Sequence, residues 1–267
     1  MVTQGALALF ARLGYAARGI VYLLVGGFAV LAAFDQGGEA TGSRGALSQL
    51  LSAPMGDVLL GALALGLTGY ALWRCIQAFT DTDHHGNGPK GLIIRAALAV
   101  SAVTHMLLAV FALRLIVAIG SGSSNGGGSE GTASWLMQQP YGRWLVGAVG
   151  LVMVGAGVAH CIKGAKAQFS SHFDMAPKTR LWAYPICRFG LMTRGLVFMV
   201  VGTFFIIAAY HVNPNDAGGI AEVFDTFRKQ PFGRPLMVFV AVGLFAFGAY
   251  SILEAFYRRV SPTSGPD

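Results

Sequence analysis

The chain of 267 residues carries 12% charged side chains, about half the usual ~25%, and 54% hydrophobic ones. Its mean hydropathy is +0.59. So few charges could not clothe a water-soluble globule of this size. The same figures exclude disorder, and three cysteines exclude a disulfide scaffold. A polytopic helical membrane protein remains.

Six stretches lack Asp, Glu, Lys and Arg: Gly19–Phe34, Val58–Trp73, Ala96–Leu113, Trp144–Ile162, Gly195–Asn215 and Pro235–Leu253. With a few flanking residues, each reaches the ~20 positions that cross ~30 Å of hydrocarbon. Lipid offers the backbone no hydrogen-bond partner, so each span is expected to be helical. No cleavable signal peptide is evident, and the first helix is expected to stay. Thirteen Lys and Arg fall in the N-terminal segment, the two even connections and the tail, against six on the other side. That bias places both termini in the cytoplasm and the chain in the inner membrane. The net charge of +7 is then largely a topology signal, and no basic stripe with interleaved aromatics suggests nucleic acid.

Self-comparison shows three copies of one unit. Arg12-Leu-Gly14, Arg18-Gly19 and Tyr22 align without a gap on Arg188-Phe-Gly190, Arg194-Gly195 and Phe198. The middle copy follows the frame more loosely, with Arg95, Ala97, Ser101 and His105 at the corresponding places. The second span of each unit opens with Pro54-Met-Gly56, Pro140-Tyr-Gly142 or Pro231-Phe-Gly233, and at the far ends Cys75 aligns with Cys161 and Ala78-Phe79 with Ala255-Phe256. A short mixed apolar and polar segment precedes each proline (Ala46–Ala53, Thr132–Gln139, Ile220–Gln230), as suits a helix lying in the outer interface. The units cover residues 10–80, 90–168 and 184–260 of a single membrane domain, and 261–267 read as a disordered tail. Two spans per unit keep every copy the same way up. The expected fold is therefore all-α: three helical hairpins related by a pseudo-threefold axis along the membrane normal, with short interfacial helices on the outer side.

The Arg-x-Gly…Arg-Gly…aromatic opening and the Pro-aromatic-Gly-Arg turn resemble those of a bacterial integral-membrane family, the domain-of-unknown-function 1206 family, over roughly residues 10–260. The resemblance implies a six-helix plasma-membrane protein of three hairpins. It brings no activity and no site residues.

In units one and three Arg12, Gly19 and Gly26, and Arg188, Gly195 and Gly202, recur every seven residues. They form one stripe along the helix, suited to close helix packing or, less simply, to a glycine-lined groove. Arg18 and Arg194 lie six residues inside the basic flank, each one turn from an aromatic (Tyr22, Phe198). They either snorkel toward lipid phosphates or face inward and bind an anion. His105 takes the position of Tyr22 and Phe198, and Ser101 that of the arginines. A histidine at that depth is a proton relay, a metal or haem ligand, or a hydrogen-bonded packing residue. His160 is expected about 10 Å nearer the cytoplasm than His105, too far for a shared haem. The pair His84-His85, flanked by Asp81 and Asp83, reads as a solvated loop, and the Gly- and Ser-rich run Gly120–Gly131 as a flexible outer loop.

No serine-hydrolase elbow, zinc-protease motif, phosphate-binding loop or intramembrane carboxylate pair is present, so no enzyme, cofactor or metal is expected. The expected function is a small permeation or ligand- or lipid-binding module. Its inter-repeat cavity would be lined by Tyr22, His105, Phe198 and Ser101, with Arg18 and Arg194 at the cytoplasmic mouth. Its partners would be membrane lipids, other membrane proteins, or a small anionic or amphiphilic ligand. The rivals are a structural platform for partner membrane proteins and a haem-binding redox subunit.

Overall fold

The computed structural model describes residues 4–36, 40–82, 86, 88–118 and 129–258. The expected outer loop (apart from its end), His84-His85 and the tail lie outside them. Nine helices run in order among the described residues: α1 (Gln4–Ala33), α2 (Ser43–Leu51), α3 (Gly56–Thr80), α4 (Pro89–Ala118), α5 (Ser129–Met137), α6 (Gly142–Ala165), α7 (Pro177–His211), α8 (Ile220–Arg228) and α9 (Gly233–Tyr257). Six of them, α1, α3, α4, α6, α7 and α9, are long and apolar enough to cross a membrane. The short helices α2, α5 and α8 each precede the second span of a unit, where the mixed segments were expected. α1 and α7 extend the sequence reading: they begin at Gln4 and Pro177, and α7 ends at His211, whereas the uncharged runs span 19–34 and 195–215. The charge-free criterion stops at Arg18 and Arg194 because it cannot see that these arginines are buried inside the bundle.

Each repeat joins the next through the same contact. The second span of one unit packs on the first span of the following one, giving α3 on α4, α6 on α7 and, closing the ring, α9 on α1. The crossings are made at matching small residues. A Cβ on Gly195 would come within 2.6 Å of the Gly157 carbonyl oxygen, and one on Gly19 within 3.0 Å of that of Gly248. One helical rung further, Gly202 meets Gly150 at 2.7 Å and Gly26 meets Ala241 at 2.7 Å. The α3–α4 crossing carries alanines at these positions (Ala71, Ala64, Ala102, Ala109), all buried. Membrane helices gain little from apolar burial against each other, so this close backbone approach is what binds them.

Within the units the symmetry breaks. α1 packs on α3 and α7 on α9, but α4 and α6 share at most a marginal contact among the described residues. The closed units depend on a missing side chain: a Cβ on Gly14 would lie 2.5 Å from the Tyr70 Cα, and one on Gly190 2.4 Å from the Phe247 nitrogen. The middle unit has Ala97 there. A second close contact pairs Ala17 with Gly66 and Thr193 with Gly243. The middle unit sets Val100 against Val152 instead. It also lacks the aromatic filling, since Tyr70 and Trp73, or Phe247 and Tyr250, become Ala156 and Ala159. Ala97, Val100, Val152 and Ala159 are accordingly exposed. Only 17% of the span window is buried in α4 and α6, against 44% to 61% in the other four. The ring is open on one side.

Candidate binding site

The face carrying the start of α1 and the end of α9 is here called the terminal face. On its side of the bundle, one cationic cluster collects polar residues from all six spans. Arg18 of α1, 4% exposed, has a complete set of partners. Its guanidinium donates to the Tyr70 hydroxyl, to Ser251 Oγ from Nε (3.1 Å) and Nη2 (2.9 Å), and to Glu254 Oε2 at 2.5 Å. The carboxylate is completed by the Tyr250 hydroxyl at 2.9 Å and by Arg258 Nη1 at 2.9 Å, both on its Oε1. A buried charge is tolerable only when paired and hydrogen-bonded in this way.

Arg194 occupies the same position one repeat along and is 8% exposed. Its guanidinium carbon sits over three rings, Tyr22 (5.0 Å), Phe198 (4.7 Å) and Phe247 (4.3 Å). It makes no ion pair among the described residues, and its buried Nε finds no acceptor. The repeat explains the difference. The counterparts of Tyr70, Ser251 and Glu254 around Arg194 are Phe247, His160 and Lys163. A phenyl ring replaces a hydroxyl, an imidazole replaces a serine, and a cation stands where Arg18 has its carboxylate. Lys163 makes no ion pair among the described residues either. Nor does Arg74, which donates from Nε to Tyr70 at 2.7 Å and from Nη1 to the Gln77 Oε1 at 3.0 Å. The cluster thus holds more positive charge than its protein carboxylate answers.

The residues singled out from the sequence gather here by two routes. Arg194, Tyr22 and Phe198 meet directly. Arg18 and His105 meet through Tyr70, whose ring carries the guanidinium at 4.9 Å on one side and the imidazole at 4.5 Å on another. Ser101 supplies its carbonyl, which accepts from His105 Nδ1 at 2.8 Å. Both arginines are buried within the bundle, so neither snorkels to its surface. The reading missed Tyr70, Arg74, Lys163, Ser251 and Glu254. A signal did exist: in the repeat register Ser251 and Glu254 match His160 and Lys163, so the one carboxylate of that row was visible without its partner.

Two further features frame the cluster. The connector after α6 folds beneath it, with Phe169 and Phe173 buried against Tyr250 (5.9 and 6.0 Å) and the Asp174 amide bonded to the Tyr257 carbonyl at 2.9 Å. This covers the cluster on the terminal face. A cavity of about 670 Å³ lies elsewhere, at the opposite face, between the end of α1 (Ala32, Ala33) and α8–α9 (Phe224, Arg228, Met237). It does not touch Arg18 or Arg194. No group of three or more potential metal ligands occurs among the described residues.

Comparison with known proteins agrees with the repeat. A family model described as Domain of Unknown Function (DUF1206) matches residues 13–81, 96–167 and 189–258. The three matched segments start and end at corresponding places in the repeat register. An uncharacterized protein, YxxB, of Bacillus subtilis (strain 168) is 33% identical over 259 residues, covering 94% of this chain and 91% of the relative. No solved structure matches. With six membrane-spanning helices in three repeats, this integral membrane protein of unassigned function belongs to the DUF1206 family.

Proposed function

We propose that the protein is a non-catalytic binding module of the bacterial inner membrane, with both termini cytoplasmic, that holds an anionic amphiphile between α4 and α6. The excess of Lys and Arg on the terminal face supports the orientation. One observation carries the binding reading: Arg194 is buried with no ion pair among the described residues, at the place where its sister Arg18 has Glu254. In a low-dielectric slab an unpaired guanidinium is costly, and an anion arriving from outside the chain relieves it. The occupant reaches the arginine through an opening that faces lipid, so its tails stay in the bilayer while its charge takes the place of the missing carboxylate.

The test is titration of the purified, delipidated full chain with short-chain lipids, followed by native mass spectrometry. Phosphatidylglycerol is expected to bind and phosphatidylcholine to bind far more weakly, with Arg194→Gln abolishing the difference. Equal retention of both lipids by the wild type would end the reading, as would an Arg194→Gln protein that binds unchanged.

A further inference from the structure

Two histidines sit on the two spans of the split unit, His105 on α4 against Tyr70 and His160 on α6 against Phe198. Neither sister unit has a histidine at either position; these hold Tyr22 and Phe198, and Arg74 and Ser251. The two are anchored identically. His105 Nδ1 lies 2.8 Å from the Ser101 carbonyl oxygen, and His160 Nδ1 lies 2.7 Å from that of Ala156, each one turn back on its own helix. A carbonyl only accepts, so Nδ1 carries the hydrogen in both rings, and Nε2 of the neutral imidazole is an acceptor. Neither Nε2 has a hydrogen-bond partner among the described residues.

The two rings are also brought toward one level. In the repeat register the α carbons differ by about 9 Å along the bundle at 1.5 Å per residue, as the sequence suggests. Side chains tilt toward the N-terminus of their helix, and α4 and α6 run in opposite directions, so the rings lean toward each other. The His160 ring accordingly lies 5.6 Å from that of Phe198, the unit-three counterpart of His105. Arg194 is stacked on the same Phe198. Among the described residues the cluster therefore holds one cationic donor without an acceptor and two imidazole acceptors without a donor.

We infer that the headgroup taken by this site is an anionic phosphodiester that carries its own hydroxyl hydrogens, a polyol phosphate of the phosphatidylglycerol type. This rests on the binding reading above and deepens it. The phosphodiester oxygens accept from Arg194 in the role that Glu254 plays for Arg18. The polyol hydroxyls donate to His160 and His105. A choline headgroup offers no hydrogen to the imidazoles and brings a second cation to Lys163. A phosphodiester without hydroxyls satisfies the arginine alone.

The experiment compares short-chain phosphatidylglycerol with phosphatidylmethanol, which has the same charge and phosphodiester but no hydroxyl, on the delipidated full chain. Phosphatidylglycerol is expected to bind more tightly by on the order of tenfold, the worth of one or two hydrogen bonds to neutral acceptors. His160→Phe and His105→Phe should each shrink that ratio while leaving phosphatidylmethanol binding intact, which also certifies that the variants fold. Equal affinity for the two lipids, both still lost in Arg194→Gln, would overturn the headgroup inference and leave the binding module standing. Arg194-independent binding of both would overturn the module itself. Free glycerol phosphate competing at the same concentration as the lipid would overturn the lipid assignment in favour of a soluble polyol phosphate.

Discussion

Arg18 and Arg194 are the same residue twice, in the same helix of two repeats, yet one is finished and the other is not. Around Arg18 the neighbouring repeat contributes Ser251 and Glu254, and its own repeat contributes Tyr70. Around Arg194 those places hold His160, Lys163 and Phe247. Triplication supplied three copies of a polar socket, and divergence made one into a structural staple and left another charged and open. The remaining socket, with Ser101, Arg74 and Gln77, has a serine where the other two have the buried arginine, and its Arg74 turns to Tyr70 and Gln77 instead.

The largest test of this comparison removes the staple. Glu254→Ala leaves Arg18 buried and unpaired, at a cost of about 3–5 kcal/mol, read as a large fall in the unfolding midpoint in detergent. Arg194→Met should leave the lipid-free protein about as stable, since it gives up ring contacts but no ion pair among the described residues and sheds the cost of a buried charge. Equal losses in the two variants would mean that Arg194 already has a counter-charge within the fold. A second test addresses the closed and open units. Gly190→Leu forces a side chain against the Phe247 backbone and should cost at least ~1–3 kcal/mol by overpacking. Ala97→Leu, at the corresponding exposed position, should stay within about 0.5 kcal/mol. A destabilised Ala97→Leu protein would show that α4 and α6 do close. The smallest and most pointed change is Lys163→Glu, which installs beside Arg194 the carboxylate that Arg18 has. It should weaken phosphatidylglycerol binding by about tenfold, in line with loss of one charge-assisted contact of ~1.5 kcal/mol, with no fall in the unfolding midpoint. Undiminished lipid binding in this variant would separate Arg194 from the ligand.

Much of this was legible before any coordinates. Charge-free runs marked the spans because a bilayer tolerates few unpaired charges, and the seven-residue stripe of Gly19 and Gly26 did turn out to be where α9 crosses α1. The departures of the middle copy at Ala97, Ser101 and His105 were visible too, though nothing in the sequence said that Ala97 opens the unit. The cost of that methyl group depends on a backbone 2.5 Å from the place it would occupy in a sister repeat, and such a distance exists only once helices are packed. The extent of α7 was misread for a related reason. A rule that ends spans at charges fails when the charge is buried among rings.

The amino-acid sequence by itself determined the number of spans, their triplication and the small residues at which they cross, because each depends on local hydropathy or spacing along one helix. Tertiary structure alone decided which arginine is answered and which is left over. Arg18 meets Glu254 across 236 positions of chain, through the closure of the last helix on the first. A buried charge is stabilised by what lies beside it in space, and ring closure is what chooses that neighbour.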